Sequence, residues 1–156
     1  MTQRRAYPSD LSDARWALIE PTLTAGRTAR LARGIGIKKP THDLREIVNA
    51  LLYLNRTGCA WRYLPHDFPP HQTVHWYFST WTNDGVFTRL GIELIGLART
   101  QSGRTPTPSA GAIDTQSVKT STNVPVTTQG TDVGKKIVGR KRGIITDTLG
   151  LRLGAR

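Results

Sequence analysis

A chain of 156 residues suits one domain or two small ones. Its 37% hydrophobic content supports only a modest core, and 22 Lys+Arg against 11 Asp+Glu leave a net charge of +11. That balance points to a polyanion, nucleic acid before an acidic membrane surface, because no long amphipathic basic helix accompanies it.

Other classes are excluded on similar grounds. No apolar run approaches the ~20 residues that span a bilayer, so no membrane partner is expected. "MTQRR" lacks an apolar stretch after its charges, so no secretory signal is read. The single cysteine, Cys59, has no internal partner and no catalytic His/Asn pattern, and packing is its expected role. A cytoplasmic, nucleoid-associated protein is expected.

Along the chain, "DLSDARWALIEPTL" at 10–23 predicts a first helix, capped by Ser12 with Asp13 in its first turn and ended or bent by Pro21. Leu11 and Trp16 have the spacing of a hydrophobic staple. Residues 24–40 interleave Arg27, Arg30, Arg33, Lys38 and Lys39 with glycines and hold no acid. They read as a basic loop, either solvated or lying along DNA phosphates or in a minor groove.

The clearest helix signal is "THDLREIVNALLYLNRT" at 41–57, with Leu44, Ile47, Val48, Leu51 and Leu52 on one stripe and Gly58 as the stop. "WRYLP" at 61–65 predicts a short helical turn. A helix is expected within 68–81, capped at Thr73, with Val74, Phe78 and Trp81 buried. Another is expected over 85–99, with Phe87, Leu90, Leu94 and Leu97 inward. Trp61, Trp76 and Trp81 are expected in the core. His71 and His75 lie four apart, but neither a third ligand nor HExxH accompanies them, so polar or DNA-facing roles are preferred to zinc. Helix, short turn and helix over 41–82 outline a helix-turn-helix, a pattern also common in domains that bind no DNA.

Residues 100–110, "TQSGRTPTPSA", read as a linker. Beyond it, "AGAID" predicts a short strand ending on Asp114, residues 120–134 a polar loop, and 135–156 a basic strand, a turn at "DTLG" and a second strand. Residues 99–156 hold 10 basic and 3 acidic residues, so the shorter part is the more basic. A carboxylate ending a strand is a common place for a divalent-metal ligand. Paired Mg²⁺ ions in phosphodiester chemistry need several carboxylates. After Asp114 only Asp132 and Asp147 remain, one in a loop and one in a turn. On pattern alone Asp114 reads as a turn or cap residue.

The stretches "LSDARWALIEPTL", "HDLREIVNALLYLNRTGCAWRYLPHDFPP", "TVHWYFSTWTNDGVF", "AIDTQSVKTS" and "GKKIVGRKRGIITDTLGL" occur in an order and spacing that resembles bacterial insertion-sequence transposases of the DDE class, in the IS-four/IS-five superfamily. The resemblance covers nearly the whole chain. It implies an α+β protein: an all-α helix-turn-helix-like DNA-binding domain at 1–99, a linker at 100–110, and the first strands of an RNase H-like fold at 111–156. It implies that Asp114 is the first acid of the DDE triad and a ligand of Mg²⁺ or Mn²⁺. "GKKIVGRKR" leads into that fold's second strand. The family continues beyond the point corresponding to Arg156 with a second Asp and a Glu, and "LRLGAR" departs from its apolar third strand. A truncated or frameshifted catalytic fold is therefore expected, with incomplete strand-transfer chemistry.

The expected partner is double-stranded DNA, the terminal inverted repeats of the element, with self-association or association with full-length transposase also open. The expected contacts are Arg27, Arg30, Arg33, Lys38 and Lys39 in the arm, Gln72, His75 and Ser79 in the helix, and Lys135, Lys136, Arg140, Lys141 and Arg142 in the basic strand. A stand-alone repressor of transposition and a decayed remnant are the competing readings.

Overall fold

α1 (Asp13–Ala32), α2 (Leu44–Thr57), α3 (His71–Asn83) and α4 (Val86–Gln101) come first, followed by β1 (Gly111–Lys119), β2 (Gly130–Asp132), β3 (Ile137–Asp147) and β4 (Arg152–Ala155). A short 3-10 turn at Trp61–Tyr63 precedes α3 and another at Val126–Thr128 precedes β2. This computed structural model describes residues 4–32, 41–121 and 123–155. Helices followed by an antiparallel sheet make the class α+β. The chain divides into two compact units, Met1–Leu90 and Gly91–Arg156, with the division falling inside α4.

In the first unit, α2 forms as its stripe requires. The Asp43 carboxylate accepts from the Arg45 N–H at 3.0 Å, satisfying a free donor of the first turn. Gly58 ends the helix at φ 66°, where a side chain would be strained, and its N–H donates to the Leu54 carbonyl. Leu44, Ile47 and Ala50 are buried from α2, joined by Leu23, Leu64, Phe68, Val74, Trp81 and Val86. Each large apolar side chain buried this way stabilises by about 1.5–3 kcal/mol. Arg4 straps the segment before α1 to this core: it pairs with Asp10 at 2.8 Å and Glu46 at 2.6 Å, and its guanidinium lies 4.2 Å from the Phe68 ring centroid. Asn49, buried on α2 outside the apolar stripe, accepts from the Leu11 N–H and donates to Glu46.

Several expectations are corrected here. α1 does not end at Pro21 but runs to Ala32. A proline inside a helix removes one backbone donor. Here Leu23 is buried beyond it and Arg27 and Arg30 find partners, so packing outweighs the break. Residues 24–32 are therefore helix rather than loop. α3 starts at His71 with Pro70 in the cap position, and Thr73 lies inside the first turn with its N–H donating to the Pro70 carbonyl. Trp76 is 44% exposed, and Phe78, Phe87, Leu94 and Leu97 are exposed rather than inward. Val86, at the start of α4, is the side chain that enters the core.

In the second unit, β3 is the central strand. β1 pairs along one edge of it, antiparallel, from Gly111↔Asp147 to Lys119↔Gly139. β2 and β4 pair with β3 on its other edge. The first strand does not stop at Asp114 but continues five residues further, to Lys119. The alternating "TQSVK" finds a full ladder in "GRKRG", and a paired strand continues while both partners can supply backbone bonds. Residues 120–134 are not loop throughout: Gly130–Asp132 forms β2, and the Gln129 side chain bridges the Thr120 hydroxyl and the Val124 carbonyl. After α4, Gly103 turns the chain at φ 70° and the Thr105 carbonyl accepts from Arg99 Nε at 2.8 Å.

Candidate nucleic-acid interface and the Asp114 strand

In the helical unit the outward face of α3 is set by its period. With Val74 and Trp81 buried, Gln72, His75, Trp76, Ser79 and Asn83 fall on the opposite stripe. Gln72 and His75 are exposed and Ser79 is half-buried. His75 meets the Trp61 ring edge-on at 4.9 Å, so the turn before α3 fixes one end of that stripe. Amide, imidazole, hydroxyl and indole groups displayed along one helix face are groups that can read base edges.

Arg27 and Arg30 are held by the unit itself. Arg27 donates to the His42 carbonyl at 3.0 Å and the Tyr77 hydroxyl at 3.2 Å. Arg30 pairs with Asp84 at 2.7 Å and lies 5.7 Å from the Trp76 ring centroid. Arg33, Lys38 and Lys39 fall outside the described residues. Arg89 was not anticipated from the sequence: it lines a cavity with Arg27 and Arg30, and its only signal was a position one turn into α4.

In the sheet unit, register decides what Asp114 faces. Side chains directly opposite in an antiparallel ladder share a face, and they alternate along each strand. Asp114 stands opposite Ile144, Gln116 opposite Arg142 and Val118 opposite Arg140. Asp114, Arg140 and Arg142 therefore share one exposed face. Lys141 pairs with Ser117 on the other face, and Lys135 and Lys136 sit in the turn before β3, Lys136 at φ 51°.

The other two carboxylates are turned away from Asp114. Asp132 accepts from the Ser117 hydroxyl and the Lys135 N–H, contacts that hold its carboxyl below the ordinary range. Asp147 accepts from the N–H groups of Leu149 and Leu151 and pairs with Arg99. Burial works against its charge, but the Leu151 N–H, the Arg99 guanidinium and the Leu149 N–H outweigh it and keep the carboxyl ionised to lower pH than usual. Both lie on the Ser117 face, opposite Asp114. Among the described residues no three His, Cys, Asp or Glu side chains converge on a point.

A family profile described as "Putative transposase of IS4/5 family" matches residues 11–91. The chain belongs to this transposase family. The match begins just before α1 and ends within α4, taking in the α2 stripe, the turn at Trp61 and the outward face of α3. No curated protein and no solved structure matches this family member. Among the described residues of this transposase-family chain, no helix is long and apolar enough to cross a membrane.

Proposed function

We propose that this chain is the DNA-recognising portion of an insertion-sequence transposase, and that its helical unit binds the terminal inverted repeats of the element. The observation that carries this reading is the family match across 11–91, in a chain of net charge +11. In this reading α2, the turn at Trp61–Tyr63 and α3 act as a helix-turn-helix, with α3 in the major groove. The polar outward stripe of α3 supports that docking. Arg140 and Arg142, exposed on one face of β3, supply phosphate contacts.

The sheet unit is read as the opening strands of an RNase H-like fold with Asp114 as the first acid of a DDE site. Three antiparallel strands side by side, β1, β3 and β4, with β3 in the middle, support it. The Mg²⁺ pair of such an enzyme does not fit the residues described. Asp114 has no second carboxylate on its face, and Asp132 and Asp147 are committed to other partners on the opposite face.

The test is a binding titration of the 156-residue chain against duplexes carrying the element's terminal repeats and against scrambled duplexes of equal length. Tighter binding to the repeats, with a salt-dependent affinity, is expected. Equal affinity for both duplexes at every salt concentration overturns the reading.

A further inference from the structure

In a cavity of about 350 Å³ beside Ser117, Asp132 already accepts from the Ser117 hydroxyl. In a larger one beside Arg4 the arginine is already paired with Asp10 and Glu46, leaving no spare cation there among the described residues. An apolar one beside Phe78 shows nothing of what would cover it. The cavity between α1, α3 and the start of α4 differs. It measures about 320 Å³, at the small end of ligand sites, and its walls include Arg27, Arg30, Arg89, Trp76, Tyr77 and Asp84.

Three arginines and one carboxylate line it, and that carboxylate, Asp84, is already paired with Arg30 at 2.7 Å. The Nε atoms of Arg27 and Arg30 are each buried without an acceptor. A buried guanidinium donor left without an acceptor favours an anion nearby. Beside these charges Trp76 is 44% exposed. A half-exposed indole next to spare arginine donors is the pairing that holds a base by its ring and a phosphate by its charge.

We infer that this cavity binds a single nucleotide, its phosphate on Arg89 and Arg27 and its base against Trp76, as an unpaired nucleotide of the bound DNA would present them. The choice of occupant rests on the DNA-binding reading above. Trp76 and Asn83 of the outward stripe also line this cavity, but its chemistry differs from that of Gln72 and His75. Stacking and charge accept any base, whereas the stripe reads base edges.

Calorimetric titration of the full chain with thymidine 5′-monophosphate, thymidine and inorganic phosphate tests it. The monophosphate should bind saturably, and thymidine and phosphate each weaker by roughly tenfold or more, since each lacks half of the recognition. Trp76→Leu should weaken the monophosphate by about tenfold and leave phosphate unchanged, while Arg89→Gln weakens both. Both side chains are exposed, so circular dichroism should report an unchanged fold. Monophosphate binding no tighter than phosphate, or undiminished by Trp76→Leu, overturns the inference. A titration with blunt duplex separates the two readings. Duplex binding without nucleotide binding removes the pocket and keeps the DNA reading. Nucleotide binding without duplex binding keeps the pocket and removes the DNA reading.

Discussion

Asp114 and Asp147 lie on opposite faces of one sheet. Asp147 stands opposite Gly111 across the β1–β3 ladder, and three residues along β1 reverse the face. Two carboxylates so placed cannot share a metal ion, whatever their distance along the chain.

The first expectation follows from that placement. The 156-residue chain should cut or join no DNA with Mg²⁺ or Mn²⁺, because phosphodiester chemistry with two ions needs carboxylates converging around both. Asp114→Asn should leave DNA affinity unchanged or slightly raised, since it removes one negative charge beside Arg142. Metal-dependent cleavage by the chain, abolished in Asp114→Asn, is the result that would overturn this, read on a labelled duplex by gel.

Asp147 should behave as a structural group with a pH signature. Its folded pKa lies below its unfolded value, so its contribution to stability is present above about pH 4 and is lost as pH falls through the depressed folded value. Asp147→Asn should remove that contribution at neutral pH and flatten the acid limb of the stability curve. Hydrogen exchange of the β3 and β4 amides across pH 2–5 is the measurement, and equal acid limbs for the two proteins would show that the Arg99 pair contributes nothing.

Gly139 admits no side chain. It is buried, and a Cβ there would overlap the Val118 carbonyl oxygen and crowd Lys119. Gly139→Ala should destabilise the sheet unit by about 3 kcal/mol, at the upper end of overpacking costs. Faster amide exchange confined to β1 and β3, with the helical unit unaffected, is the expected pattern.

Ile47 is fully buried in the helical core. Ile47→Ala should cost about 2–5 kcal/mol by lost burial and a cavity. Gly58→Ala should cost about 1–2 kcal/mol, because a left-handed backbone strains any residue with a Cβ. Thermal unfolding followed by tryptophan fluorescence reads both, as all four tryptophans precede residue 82.

Neutralising Arg140 and Arg142 together should lower DNA affinity for every sequence and flatten the salt slope by up to about 0.9 per lost contact. His75→Ala should instead change which duplex is preferred, as expected of a residue that faces bases. An unchanged salt slope in the double variant would show that β3 does not touch phosphates.

The sequence by itself determined the elements whose signal is local. The 3.6-residue stripe of α2 and its Gly58 stop both act within one or two turns of the chain, so they are legible before any fold is known. So are the excess of positive charge, the turn at "DTLG" and the residues that carry the family resemblance.

Tertiary structure decided what depends on partners distant in sequence. Arg27 and Arg30 look like free charges in a glycine-spaced run until His42, Tyr77 and Asp84, which lie up to 54 residues away, turn them into the end of α1. Trp76 looks like core until the burial of Val74 and Trp81 turns it outward. The surroundings of Asp114 were illegible for the same reason. A strand's neighbours are set by register, and only pairing with β3 put two arginines on its face and both remaining carboxylates on the other.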